Sequence, residues 1–256
     1  MTTSGREPEG DRPSVGVVAP GREAGGVVDR VRDVVGDVLT GPAAIDAEAV
    51  VAVGDAALAE LAAAGVSIPV LPVETRLDSP GDPLETGVER LLAGTGDLRE
   101  YPVLRVETPV GDGYALFEVA LVADEPATIS GFSVATAAGA DDADPLARFR
   151  ADGVTVATPA GSRGYARAAG GPVVAAGTDA AAVVPVAPFS TDPDHWVVPL
   201  SAVSVTVERE VDVAVTADGR PLGTVPPGTE VDLVRDGVLR VVASGGTAGT
   251  GKSETF

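Results

Sequence analysis

The stretch Ala49-Val-Val-Ala-Val53-Gly54-Asp55-Ala56-Ala57-Leu58-Ala-Glu-Leu61-Ala-Ala-Ala64 reads in two halves. Its first five residues are an unbroken apolar run, as a buried strand requires. From Ala56 to Ala64 the apolar residues extend too far for a short strand and suit a helix. The same alternation appears on either side. Upstream, the apolar run Val15 to Ala19 precedes a helical pattern expected from Glu23 to Leu39. Downstream, the run Ile68 to Val73 is followed by a Pro/Asp/Gly-rich stretch. A helix is then expected over Leu84 to Leu92, where Leu84, Val88, Leu91 and Leu92 recur at helical spacing. Strand, helix, strand, helix predicts a Rossmann-like parallel α/β domain over residues 14–98.

From Tyr101 the texture changes to short β-prone runs separated by turn signals. They are Val103 to Glu107, Tyr114 to Ala123, Thr128 to Thr136, Val154 to Ala157, Val183 to Val186, Val203 to Val207, Val211 to Thr216, Val231 to Val234 and Val238 to Val242. This predicts a β-rich, sandwich-like second domain over residues 99–243, with Asp218-Gly219 as a hairpin turn. Residues 1–13 and 244–256 are polar and rich in Gly, Ser, Thr or Pro, and are expected to be disordered.

The chain has 256 residues, 45% of them apolar, enough for a substantial core. With 18 Lys plus Arg against 38 Asp plus Glu, the formal charge is −20. No basic cluster longer than a pair occurs, which argues against nucleic acid as a partner, because affinity for duplexes comes largely from neutralising phosphates. All basic residues but Lys252 are Arg. This balance suits a salt-adapted cell, since at 1 M salt charges are screened within about 3 Å. Zero Cys excludes disulfides, thiolate metal sites and Cys nucleophiles, and a single His, His195, leaves a His-based zinc site or a Ser-His-Asp triad without its parts. No apolar run approaches 18 residues, and the acidic segment Met1 to Asp11 has the wrong sign for a signal peptide, so a cytoplasmic protein without membrane partners is expected.

The strongest local pattern is Asp152-Gly-Val-Thr-Val-Ala-Thr158-Pro159-Ala160-Gly161-Ser162-Arg163-Gly164-Tyr165, followed by Ala168-Ala-Gly-Gly-Pro172. An apolar strand runs into a loop of small residues. Such a loop can bring backbone N–H groups and hydroxyls against a ribose or phosphate, with no Cβ in the way at Gly161 and Gly164. The same residues also fit a plain strand-to-helix turn capped by Ser162.

These residues resemble the Thr-Pro-Thr-Gly-Ser-Thr-Ala-Tyr signature of NAD kinases. Further landmarks fall in that family's order. Val53-Gly54-Asp55-Ala56-Ala57-Leu58 stands where the family has Gly-Gly-Asp-Gly-Thr-Leu, and Ala115-Leu116-Phe117-Glu118-Val119 where it has Ala-Leu-Asn-Glu-Val. Pro188-Phe189-Ser190 resembles the family's Pro-His-Ser, and Asp218-Gly219 its late Asp-Gly turn. The resemblance implies a nucleotide cleft between the two domains. It also implies phosphoryl transfer from ATP or polyphosphate to the 2′-hydroxyl of NAD, with Mg²⁺ or another divalent cation. By that resemblance Asp55 is the catalytic residue. Gly54, Glu118, Asp152, Thr158, Gly161, Ser162, Arg163 and Tyr165 are the cofactor-binding residues, and no side chain is assigned to metal. A homo-oligomer is implied in the same way.

Departures from the family pattern bear on activity. Val53 and Ala56 replace glycines and Ala57 a threonine in the Asp55 loop; if position 56 needed φ > 0, Ala there would cost roughly 1 kcal/mol or more. The Asn-x-Gly segment of the family gives way to Val73-Glu74-Thr75-Arg76, where Glu74 would repel phosphate unless a metal or Arg76 offsets it. Phe117 replaces Asn, and Ala160 and Arg163 replace Thr; the guanidinium of Arg163 suits a phosphate contact. The altered positions are thus expected to face ligand. His195-Trp196 is expected to be structural or at the surface, and Asp141-Asp142-Ala143-Asp144 a solvated loop. An active kinase of an unusual branch and a non-catalytic paralogue that keeps a nucleotide pocket both fit these departures.

Overall fold

The computed structural model describes residues 13–21, 24–77, 83–125, 128–136, 145–190, 194–209 and 211–243. The acidic stretch 141–144, residues 244–256 and all but the last residue of 1–13 lie outside the described residues. The first half runs β1 (Val15–Val18), α1 (Gly25–Val35), β2 (Val38–Thr40), a 3-10 turn (Gly41–Asp46), β3 (Ala49–Val53), α2 (Asp55–Ala63), β4 (Val70–Val73) and α3 (Leu84–Ala93). The strands pair in parallel in the order β2, β1, β3, β4. The chain steps from β1 to one side and then to the other, so the loops after β1 and β3 open at the reversal of strand order, where parallel α/β sheets take ligands. The Gly54-Asp55 loop stands at that edge.

The helix predicted from Glu23 to Leu39 stops at Val35, because the Gly36 N–H closes the last turn on the Arg32 carbonyl at 2.8 Å. The β-branched and apolar residues that follow form β2 instead.

The second half runs β5 (Asp97–Glu107), β6 (Gly113–Ala115), β7 (Glu118–Ala123), β8 (Ser130–Thr136), β9 (Ala147–Ala157), α4 (Tyr165–Ala168), β10 (Ala180–Pro188), β11 (Trp196–Pro199), β12 (Val203–Arg209), β13 (Val213–Ala217), β14 (Arg220–Val225) and β15 (Glu230–Ala243). Its strand pairs are antiparallel: β9 takes β7, β8 and β10 as neighbours, and β12 joins β8 to β15. The runs Val231 to Val234 and Val238 to Val242 are one strand, bulged between Arg235 and Val238. That strand pairs antiparallel with β12 and β5 and, at Val241 beside Val70, parallel with β4, so it stitches the antiparallel strands to the parallel ones.

Conversely, the single run Tyr114 to Ala123 is two strands. At the break, the Leu116, Phe117 and Glu118 amides leave the ladder and donate to the Asp218 carboxylate at 2.7, 2.8 and 2.9 Å. Asp218-Gly219 does turn the β13–β14 hairpin, and its Asp also anchors the 116–118 segment. Burial raises the Asp218 pKa, while those three amide hydrogen bonds work against the rise.

Among the described residues four apolar clusters organise the interior, the smallest of them around Ala166, Val174 and Val184. One fills the β-rich half around Phe132, Leu121 and Leu233, and another lies between the parallel sheet, α1 and α3. The third joins the halves, packing Leu58 and Leu61 of α2 with Tyr101, Leu116, Phe117, Ala160 and Leu239. The Trp196 ring stacks on Phe149 with centroids 5.6 Å apart, and His195 lies against Gly170. Among the described residues no helix is long and apolar enough to cross a membrane.

Candidate functional site

The Asp55 loop is built by its glycine. Gly54 is buried with φ 84° and ψ 159°, a conformation open essentially to Gly alone, and its N–H donates to the Val73 carbonyl at 2.9 Å. The turn sets Asp55 at the first residue of α2. Ala56 lies inside the helix and is exposed, so the absence of glycine there carries no backbone penalty. Val53 and Ala57 point into hydrophobic clusters.

The signature loop is held by its hydroxyls. The Thr158 hydroxyl donates to the Leu116 carbonyl and accepts from the Ala160 amide at 3.1 Å, and the Thr158 amide donates to the Phe117 carbonyl at 2.9 Å. Ser162 is fully buried. Its hydroxyl is bonded to the Pro159 carbonyl and to both backbone groups of Val174, at 3.0 to 3.3 Å. It therefore ties the loop to the segment after α4 and caps no helix; the residue before α4 is Gly164. At Gly161 a Cβ would sit 2.0 Å from the Phe117 carbonyl oxygen. The small residues thus let the loop lie directly on the Phe117 backbone.

Between the two loops lies Arg76, from the segment after β4. Its backbone N–H and its Nε donate to the two Asp55 oxygens at 2.8 and 2.7 Å. Its guanidinium stands 4.5 Å from the centroid of the Phe117 ring, within cation–π range. Its Nη1 reaches Gly164, where a Cβ would come within 2.5 Å of it. The Asp55 loop, the Phe117-Glu118 segment and the signature loop accordingly converge on one guanidinium. Asp55 and Arg76 side chains are each 34% exposed, open to a ligand arriving from solvent.

Glu118 is half-buried beside this cluster. One of its oxygens, Oε2, is fully buried without a hydrogen-bond partner among the described residues. Burial raises its pKa; Arg76 and the Ala166 amide favour the ionised form, and Asp218 disfavours it. A raised pKa means that the folded state holds the proton more tightly than the unfolded chain, so stability falls as pH rises through the folded value. Glu118→Gln removes this cost. The variant is expected to melt above the parent at pH 7 to 8, with the gap closing as pH falls toward the ordinary Glu value of about 4.3. Thermal melts across that range check it, and a gap independent of pH would count against a charge-based cost.

Of the residues singled out from the sequence, Asp55, Gly54, Glu118, Thr158, Gly161 and Ser162 belong to the three converging segments. Arg163 and Tyr165 are exposed on the signature loop and its helix. Asp152 is half-buried within β9, upstream of the loop. The altered positions Val53, Ala57, Phe117 and Ala160, expected to face ligand, are buried instead, because their side chains fill the clusters under the loops. Phe189 is 72% exposed, with the Arg150 guanidinium 5.9 Å from its ring. Sequence alone names Arg76 only as an offset to the charge of Glu74; the signal for its bond to Asp55 is a lone Arg following a parallel strand, opposite an acidic strand-to-helix loop.

Residues 117–243 match the family model described as the ATP-NAD kinase C-terminal domain. An NAD kinase of Methanosarcina mazei is 35% identical over 160 residues, covering 60% of this chain and 52% of that protein. An NAD kinase of Pyrococcus furiosus is 34% identical over 122 residues, 47% of this chain and 42% of that one. The alignments to such curated relatives span about half of their length or less. In fold, the chain resembles yeast NADH kinase complexed with NADH, with a TM-score of 0.74 and 18% identity over 92% of this chain and 85% of that one. An NAD kinase from Archaeoglobus fulgidus in complex with ATP gives 0.69 and 22% over 88% and 92%.

Proposed function

We propose, from the premise that the chain belongs to the NAD kinase family through residues 117–243, that it transfers a phosphoryl group from ATP or polyphosphate to the 2′-hydroxyl of NAD. The observation that carries this reading is the meeting of the Asp55 loop, Glu118 and the signature loop around Arg76. The adenosine 2′-oxygen attacks the terminal phosphorus of the donor and the bond to the leaving phosphate breaks. The hydroxyl proton passes to the Asp55 carboxylate, leaving NADP and the shortened donor. Such transfer needs positioning and charge stabilisation more than covalent help. Glu118, half-buried beside Arg76, offers its carboxylate to a ribose hydroxyl, and Thr158, Gly161 and Ser162 shape the wall against which the nucleotide lies.

A divalent cation has no cage of its own among these residues. Both Asp55 oxygens are bonded to Arg76, and no three His, Cys, Asp or Glu side chains among the described residues lie close enough to share an ion. Residues 14–98 and 99–243 are read as the two domains flanking the cleft. A homo-oligomer in a salt-rich cytoplasm completes the reading.

The test is NADP formation in about 2 to 3 M KCl, where screening relieves the charge of −20, with a divalent cation and either ATP or polyphosphate. Folded protein that makes no NADP from either donor would replace this reading with the non-catalytic paralogue.

A further inference from the structure

Arginine usually meets a carboxylate with its fork, two N–H groups on two oxygens. Here the fork is incomplete: the backbone N–H of Arg76 donates to Asp55 Oδ1, and the side chain donates to Oδ2 through Nε. A guanidinium carries five N–H donors, and the bond to Asp55 uses one. The Nη end extends past Asp55, over the Phe117 ring and against Gly164, at the line where the Asp55 and signature loops face each other. The Phe117 ring centroid lies 4.5 Å from the guanidinium carbon, and Gly164 leaves the space that Nη1 fills. A chain with net charge −20 that takes up a polyanionic donor needs a fixed cation at this point. The Asp55 loop, Val53-Gly54-Asp55-Ala56-Ala57, supplies no side-chain donor for that purpose.

We propose that Arg76 is the donor-phosphate residue of this cleft, holding Asp55 through Nε while its Nη groups bind the terminal phosphate oxygens. The inference rests on the phosphoryl-transfer reading above and deepens it. Arg76 thereby aligns the acceptor carboxylate and the incoming phosphoryl group with one rigid plane, a task a lysine's single ammonium cannot perform.

The experiment compares parent, Arg76→Ala, Arg76→Lys and Gly164→Ala in two assays at one fixed KCl concentration. The first reads KM for donor and for NAD separately. The second reads binding of inorganic tripolyphosphate by calorimetry, without turnover. Arg76→Ala is expected to raise the donor KM and the tripolyphosphate Kd by roughly ten- to a hundred-fold, the scale of a lost charge-assisted hydrogen bond, with the NAD KM little changed. Arg76→Lys should recover only part of that loss. Gly164→Ala keeps the Arg and takes its seat. The clash falls first on the far end of the Arg76 side chain, with the Gly161 carbonyl oxygen next at 3.2 Å, so donor affinity should fall by more than the melting temperature does. A parent that makes NADP with an unchanged donor KM in Arg76→Ala would overturn the assignment of Arg76 and leave the kinase reading standing. A parent that makes no NADP yet binds tripolyphosphate through Arg76 would overturn the kinase reading alone. Loss of both signals in the parent would overturn both.

Discussion

Asp55→Asn is expected to lower NADP formation by roughly 10²- to 10⁴-fold, the usual contribution of a positioned proton acceptor, with the fold intact. Asn keeps the size of the side chain and an oxygen that can still accept the Arg76 backbone N–H. What it loses is basicity and charge. The lost ion pair is one-third exposed on both sides, and pairs of that kind contribute about 0 to 1 kcal/mol, so melting should move little. Steady-state rates with NAD and each donor, beside a thermal melt, check both halves of the expectation. Full activity in the variant would remove Asp55 from the chemistry. A large drop in melting temperature would recast it as a residue that merely holds the loop after β4.

Gly161→Ala is expected to destabilise the protein by about 3 kcal/mol or more, at the upper end for overpacking a close-fitted interior. The new Cβ would stand 2.0 Å from the Phe117 carbonyl oxygen and 2.5 Å from its carbon. Both atoms belong to backbone that is fixed on the far side by Asp218. Relief requires the signature loop to lift from the 116–118 segment, stretching the Thr158 bonds that join them. A denaturant midpoint measures the loss, and activity should fall with it, since Glu118 is carried by the same segment. A change within about 1 kcal/mol would mean that the two segments are not in direct contact.

Much of the fold was legible because its elements bury one kind of pattern each. The apolar run Ala49 to Val53 is buried throughout, and alternation in Val213 to Ala217 gives the in-and-out burial of a half-exposed strand. Local pattern could not reveal contacts made at long range. The break at Leu116–Phe117 depends on a carboxylate about a hundred residues downstream, and nothing in the run Tyr114 to Ala123 announces it. Short β2 was absorbed into the preceding helix because Val38 and Leu39 extend the apolar spacing of α1. In the site, the positions of Asp55, Glu118 and Thr158 could be anticipated. The burial of Phe117 and the placement of Arg76 could not, since both depend on how the halves pack. Nor did spacing reveal that Ser162 binds Val174 rather than a helix end.

The long strand β15 also governs the order in which the molecule can assemble. Every neighbour it has, β12, β5 and β4, comes earlier in the chain, so each of them stays an open edge until residues 230–243 have left the ribosome. Before then the nascent chain carries unpaired strand edges that invite pairing with other chains. The contacts that close β5 and β4 join residues about half the chain apart or more, and contacts of such separation make folding slow. The joining of the halves thus waits for residues 230–243: the parallel sheet that presents Asp55 and the antiparallel strands that present Glu118 are locked together by a strand that emerges after all three of its described partners.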